Sequence, residues 1–255
     1  MNQPLEKKLA LVTGASRGIG AAIAQRLAEY GAAVLVHYSS NRTRAEGIVN
    51  QINQAGQQAE AVSADLSTSD GPRVLLGKID TAFGGRFDGR IDVLVNNAGT
   101  AEFSSLMDAT DEAFDKQFNV NVRAVFQLSR EAARRMTKSG WGRIINIGSV
   151  FGEAVPIPSV GIYASTKFAI GGFTRAWSRD LGATGVTVNN VRPGPTNTDL
   201  NPDDNSPLSE VMRKLTSLRR YGKPEEIAAA VAFLASPQAA FINGESLTID
   251  GGWSA

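Results

Sequence analysis

Residues 9–30 read Leu9-Ala10-Leu11-Val12-Thr13-Gly14-Ala15-Ser16-Arg17-Gly18-Ile19-Gly20-Ala21-Ala22-Ile23-Ala24-Gln25-Arg26-Leu27-Ala28-Glu29-Tyr30. The four apolar residues at the start form a short run of the kind found in a strand buried on both faces of a parallel sheet. The run passes directly into glycines, after which Ile19, Ile23 and Leu27 recur at helical spacing until Tyr30-Gly31. Strand, glycine turn, helix is the order in which a backbone can approach a pyrophosphate and bind its charge with the free N–H groups of a helix start. A glycine turn that merely fits strand to helix tightly is the plainer alternative. Gly14-Ala15-Ser16-Arg17-Gly18 also satisfies the Gly-x-Ser-x-Gly nucleophile elbow of serine hydrolases. That chemistry needs a histidine late in the chain, and the sole histidine, His37, comes early.

Outward from this stretch, strand and helix patterns alternate to the end of the chain. Strands are expected over 33–38, 59–64, 91–95, 143–147, 187–191 and 246–249. Helices are expected over 44–55, 72–83 and 111–138, from Tyr163 onward, over 211–215, and from Pro224 onward. The pattern gives an α/β fold, a doubly wound (Rossmann), mainly parallel sheet with helices on both faces and ligand loops at the strand carboxyl ends. With 255 residues and no linker-like composition, one domain over 1–255 is expected, its polar, proline-containing segment at about 195–218 reading as a mobile flap.

Composition narrows the function. Lys plus Arg is 26 and Asp plus Glu 25, a net charge of +1 with no basic block, which points to a small-molecule partner rather than nucleic acid or a membrane surface. The chain has no cysteine, excluding disulfides and thiol chemistry, and with one histidine no metal centre is expected. The apolar run after Lys7-Lys8 is too short for a signal or spanning segment, so the chain reads as soluble and cytoplasmic. The second strand ends without the acid that commonly holds a ribose 2′-OH. Ser39, Ser40 and Asn41 stand there, followed by Arg42, with Arg17 in the glycine loop. Neutral donors and a base suit a 2′-phosphate, favouring NADP(H) over NAD(H). The same three neutral residues could equally cap a helix. His37 is expected as a half-buried strand-end residue. The helix over 111–138 carries two apolar stripes, Phe114, Phe118 and Val122 on one and Val125, Leu128 and Ala132 on the other, interrupted by Asn119 and Asn121. A helix apolar on two sides is commonly buried on two sides, so a homo-oligomer is expected.

Tyr163 and Lys167, four apart on a helix, project from one face, with Ser149 fourteen positions upstream. Bringing a phenol about three pKa units toward neutrality takes roughly 4 kcal/mol. One charge at about 4 Å in an effective dielectric of about 20 supplies roughly that. The pair could thus serve as a proton donor and acceptor near neutral pH.

Taken in order, Thr13-Gly14-x-x-x-Gly18-Ile19-Gly20, Asp65, Asn96-Asn97-Ala98-Gly99, Asn121, Ser149, Tyr163-x-x-x-Lys167, Pro193-Gly194 and Ile249-Asp250-Gly251-Gly252 give the chain its likeness to a known family. The sequence resembles the short-chain dehydrogenase/reductase family along essentially its full length. The resemblance implies hydride transfer between nicotinamide and a carbonyl or secondary alcohol, and a homotetramer. It implies Tyr163 as acid/base, Ser149 as donor to the substrate oxygen, Lys167 as the group that lowers the tyrosine pKa and holds the nicotinamide ribose, and Asn121 as support for a proton-relaying water. It places Gly14, Ser16, Arg17, Gly18, Ile19, Gly20, Asp65, Leu66, Asn97, Ala98, Gly99, Pro193, Gly194, Thr196 and Thr198 around the cofactor. Apolar residues Val150, Phe151, Val155, Pro156, Ile157 and Ile162 are expected to flank the pocket, which points to a small or medium apolar ketone. The runner-up is the 3-oxoacyl-(acyl-carrier-protein) reductase step of fatty acid synthesis. Gly140 and Thr184 stand where such reductases often carry basic groups for the acidic carrier, with Lys138, Arg175 and Arg179 nearby.

Overall fold

The computed structural model describes residues 3–255. Among these residues seven strands form one sheet: β1 Leu9–Val12, β2 Ala33–Tyr38, β3 Gln58–Ser63, β4 Val93–Asn96, β5 Gly142–Ile147, β6 Val186–Pro193 and β7 Ser246–Ile249. The spatial order is β3-β2-β1-β4-β5-β6-β7, and all six neighbouring pairs are parallel. The sheet is therefore wholly parallel. β1 and β5 are buried along their whole length; β1 is an unbroken apolar run, as suits a strand covered by helices on both faces, while β5 also buries Arg143 and Asn146.

Among the described residues eight α-helices accompany the sheet: α1 Gly18–Glu29, α2 Arg42–Gln54, α3 Gly71–Thr81, α4 Asp111–Phe118, α5 Ala124–Ser139, α6 Gly161–Leu181, α7 Pro207–Leu215 and α8 Pro224–Ala235. One core layer packs α1 and α8 against the sheet through Ile23, Leu27, Val34, Ile145, Ile227 and Val231. The other packs α3 and α5 on the opposite face through Leu11, Leu35, Leu75, Leu94, Leu128 and Met136. Strand order reverses between β1 and β4, and the crevice beyond the carboxyl ends at such a reversal is where an open α/β sheet binds ligands.

The expected single helix over 111–138 is corrected. α4 and α5 are joined by a π-helical turn, Asn119–Arg123, whose wider hydrogen-bonded ring absorbs an extra residue. Asn121 is turned inward by it and buried. Of the two stripes, Val125, Leu128 and Ala132 are buried, while Phe114 is exposed and stacks on Phe118 at 4.3 Å between ring centroids. Phe173 and Trp177 of α6 stack at 4.4 Å, with Phe126 of α5 6.5 Å from each ring. The helix expected over 211–215 starts earlier, at Pro207, because Ser206 accepts from Ser209 N–H and proline fits the first turn. Among the described residues no helix is long and apolar enough to cross a membrane, and no cluster of His, Cys, Asp or Glu could hold a metal ion.

Candidate active site

The loops after β1 and β4 are laced together at the crevice. The Thr13 hydroxyl oxygen accepts from the N–H groups of Asn97 and Ala98, both at 2.9 Å. The Asn97 amide donates to the carbonyls of Thr13 at 2.8 Å and Gly14 at 3.1 Å. Asn97 therefore shapes the cradle with its side chain. Gly14 and Gly18 adopt left-handed backbone, which suits glycine. At Gly20 the constraint is space: a Cβ would lie 2.4 Å from both the Gly14 carbonyl oxygen and Asn97 Nδ2. Gly20→Ala should therefore rupture the turn, lowering the melting temperature by about 5 °C or more and weakening dinucleotide binding over tenfold. A scanning-calorimetry trace and a binding isotherm matching wild type would show the cradle to be softer than this.

His37 corrects an expectation. It is buried rather than half-buried, and it holds the glycine turn in place: Gly14 N–H donates to Nδ1 at 3.0 Å, and Nε2 lies 3.1 Å from the Ala64 carbonyl oxygen. Burial lowers its pKa from 6.5 to about 4, the Ala64 carbonyl opposing. The unfolded chain takes up this proton near pH 6.5 and the folded chain only near 4. His37's contribution to stability is thus complete above 6.5 and declines as pH falls through that window, by up to about 3 kcal/mol. The melting-temperature advantage of wild type over His37→Asn should shrink between pH 7.5 and 5; an advantage constant across that range would contradict it.

Beyond β2, Asn41 caps α2 by accepting from Arg44 N–H at 3.0 Å, while Ser39 and Ser40 are exposed at the mouth of the crevice. Arg42, the base expected to face a phosphate, instead pairs with Glu46 one helical turn on. Arg44 and Arg17 are the bases that converge, and both meet Asp199. After β3, the Asp65 carboxylate accepts from Ser67 N–H and hydroxyl at 2.9 and 2.7 Å, bonds that hold its pKa below the usual carboxylate value. Leu66 turns its side chain into the core. Ser16, Ile19 and Ala98 line the turn, Ile19 packing on the core from its rim. On the far side Thr196 is buried and donates to the Gly194 carbonyl at 3.0 Å. Gly194, following Pro193, is where a Cβ would meet Asp250 at 2.5 Å. Thr198 reaches back to the glycine turn, its methyl 3.2 Å from where a Cβ on Gly18 would stand.

Ser149 follows β5, and α6 brings Tyr163 and Lys167 beside it. The Ser149 hydroxyl accepts from Phe151 N–H at 3.2 Å, and the Lys167 ammonium donates to the Ile147 carbonyl at 2.9 Å while lying 5.5 Å from the Tyr163 ring centre. The turn at 150–152 packs tightly on α6: a Cβ on Gly152 would meet the Lys167 carbonyl at 2.8 Å. Asn121 straps this corner to the loop after β4. Its oxygen accepts from Thr100 N–H, and its amide donates to the Thr100 carbonyl and the Thr166 hydroxyl, at 2.9, 2.9 and 3.1 Å. The lone positive charge does not, by itself, acidify the phenol as expected. Burial pushes the Tyr163 pKa above 10, the Ser149 hydroxyl pulling partly back, and burial lowers Lys167 from 10.5 to about 8. Burial disfavours the charged form of each group.

Above the phenol stands an aromatic wall. Phe103 and Phe151 meet the Tyr163 ring edge-on at 6.0 and 6.2 Å, and Trp253 meets Phe151 at 5.6 Å. Trp253 also packs with Val150, Met212 and Tyr221, and Ile157 joins them, so α7 closes one side. Val155 and Pro156 lie exposed at the rim, and Ile162 is half-buried. Sequence reasoning did not find Phe103, Met212, Tyr221 or Trp253; an aromatic directly after the closing Gly251-Gly252 was the one available signal.

The chain is similar to known proteins over nearly its full length. A family model described as enoyl-(acyl carrier protein) reductase matches residues 14–254. A relative from Vibrio cholerae named 3-oxoacyl-(acyl-carrier-protein) reductase FabG is 39% identical over 97% of this chain and 98% of its own. Another, the cyclic-di-GMP-binding biofilm dispersal mediator protein of Escherichia coli, is 38% identical over the same shares. Among solved structures, a short-chain dehydrogenase from Burkholderia cenocepacia in complex with NADP superposes with a TM-score of 0.91 at 42% identity, covering 99% of this chain and 100% of that one.

Proposed function

The chain belongs to the short-chain dehydrogenase/reductase family of oxidoreductases, and from that premise we propose that it transfers hydride between NADP(H) and a ketone or secondary alcohol, with Tyr163 as acid/base. The observation that carries the proposal is the assembly of Ser149, Tyr163 and Lys167 at the carboxyl end of β5, beside the crevice. A carbonyl accepting hydride develops negative charge on oxygen, so two hydroxyl donors aimed at that atom favour the transition state over the ground state. When bound, the nicotinamide supplies the hydride. Ser149 holds the substrate oxygen, Tyr163 gives it the proton, and Lys167, mostly protonated at pH 7 with a pKa of about 8, favours the phenolate left behind.

The cofactor reading rests on the fit of the crevice. Gly14 and Gly18 open the turn, the first N–H groups of α1 have no side-chain cap, and Arg17 and Arg44 stand where a 2′-phosphate would emerge. The dehydrogenase from Burkholderia cenocepacia, with its bound NADP, supports it. The exposed Phe114, Phe126 and Phe168, with the half-buried Phe173 and Trp177, support a homo-oligomer packed through α4, α5 and α6.

The substrate we propose is a small or medium apolar ketone, because Phe103, Phe151 and Trp253 leave little for a charged group to bond. The second reading, 3-oxoacyl-carrier reduction, draws on the similarity to the Vibrio cholerae protein and on Arg175 and Arg179. These line an open cleft of about 490 Å³ on α6 that could meet an acidic carrier. Gly140 caps α5 with left-handed backbone and Thr184 lies in the turn before β6, so neither supplies a base. Steady-state assays with NADPH on a ketone panel and on carrier-bound acetoacetyl thioester decide between the two. The proposal expects the higher kcat/KM on apolar ketones; turnover confined to the carrier substrate overturns it.

A further inference from the structure

One carboxylate of the segment after β6 lies on the bases that the cofactor reading needs. Asp199 Oδ2 is bonded by an Arg44 guanidinium nitrogen and lies 3.5 Å from Nη1 of Arg17. Arg17 is the residue before α1, and Arg44 lies in the first turn of α2. The two positively charged side chains thus come from two different elements, and they share a single anionic oxygen. The neighbouring base, Arg42, is engaged with Glu46 and does not take part. Thr198, immediately before Asp199, packs against Gly18 of the glycine turn and bonds back to Asn201, so the carboxylate is delivered by a turn seated on the crevice.

We propose that Asp199 occupies the 2′-phosphate site of this chain, standing in for the phosphate on Arg17 and Arg44, and is thereby a determinant of cofactor selectivity that the 2′-phosphate has to displace. The inference rests on the NADP(H) reading above and deepens it. A ribose 2′-phosphate carries a charge of about −1.5 to −2 near neutral pH against −1 for a carboxylate, and offers three acceptor oxygens to the two guanidiniums. It therefore wins the exchange, but the net affinity is what remains after the Asp199 contacts are lost. Both anions cannot hold the same guanidiniums without mutual repulsion. NAD(H), which has no 2′-phosphate, leaves Asp199 where it is.

All three side chains are about half exposed, so their pairing is screened and modest. Neutralising Asp199 should tighten NADP(H) about three- to tenfold and leave NAD(H) within about twofold. The test is calorimetric titration of the full-length protein with NADP+ and NAD+ at one fixed ionic strength, for wild type, Asp199→Asn, Arg44→Gln and the double variant. Asp199→Asn should raise NADP+ affinity alone, Arg44→Gln should lower it, and the gain from Asp199→Asn should fall below about twofold once Arg44 is gone. A gain undiminished in the Arg44→Gln background would make Asp199 a general source of negative field and overturn the proposal. An unchanged or weakened NADP+ affinity in Asp199→Asn, with wild type still preferring NADP+, would overturn it and leave the cofactor reading intact. Equal binding of NADP+ and NAD+ by wild type would overturn both.

Discussion

Tyr163→Phe should lose about 10²–10⁴-fold in kcat for ketone reduction while binding NADP(H) within about twofold of wild type. The ring edge contacts with Phe103 and Phe151 survive the change, as phenylalanine keeps the ring and removes only the hydroxyl. Stopped-flow turnover together with a cofactor titration separates the two quantities. The same variant distinguishes an enzyme from a non-catalytic dinucleotide sensor that has kept the fold and lost the chemistry. A sensor has no use for the hydroxyl, so activity absent already in wild type, with cofactor binding intact in both proteins, would favour it.

Lys167→Met should cost activity on a similar scale, about 10²–10⁴-fold, with little cost in stability. The ammonium is buried and its one hydrogen bond runs to the Ile147 carbonyl. Burial that takes its pKa from 10.5 to about 8 corresponds to about 3 kcal/mol of penalty on the charged form, a penalty methionine does not carry. Against this, the Ile147 carbonyl loses its donor, a loss of about 1–3 kcal/mol. The two offset, so the melting temperature should stay within about 5 °C of wild type. A residue kept for packing would show the opposite pattern, a large thermal loss with turnover preserved. Function here is held at the expense of a desolvated charge, as is common at active sites.

The sheet and the glycine turn were legible in the sequence because they follow from local rules. Leu9 to Val12 could be read as a doubly buried strand, and Gly14, Gly18 and Gly20 as a turn that lets a backbone approach a pyrophosphate, without knowing what lay across the crevice. Tyr163 and Lys167 could be paired because one helical turn separates them, whereas joining Ser149, two residues beyond β5, to them rested on the family resemblance. What stayed hidden depends on contacts between distant segments. His37 meets Gly14 across 23 positions and Asp199 meets Arg44 across 155, and neither pairing leaves a periodic trace. The π-helical turn at Asn119–Arg123 shifts the helical register locally, which spacing cannot show, although the two asparagines interrupting the apolar stripe marked its place. The upward direction of the phenol's shift comes from desolvation, which a charge–charge argument leaves out, and the depth of burial of Lys167 is a property of the packed fold.

The pH dependence of kcat/KM for ketone reduction by NADPH tests the central claim, proton delivery from Tyr163 assisted by the charge on Lys167, most directly. The account predicts a falling alkaline limb in wild type as the coupled pair loses its proton, absent from the residual activity of Tyr163→Phe and displaced upward in Lys167→Met, where no ammonium favours the phenolate. An identical limb in all three proteins would contradict it.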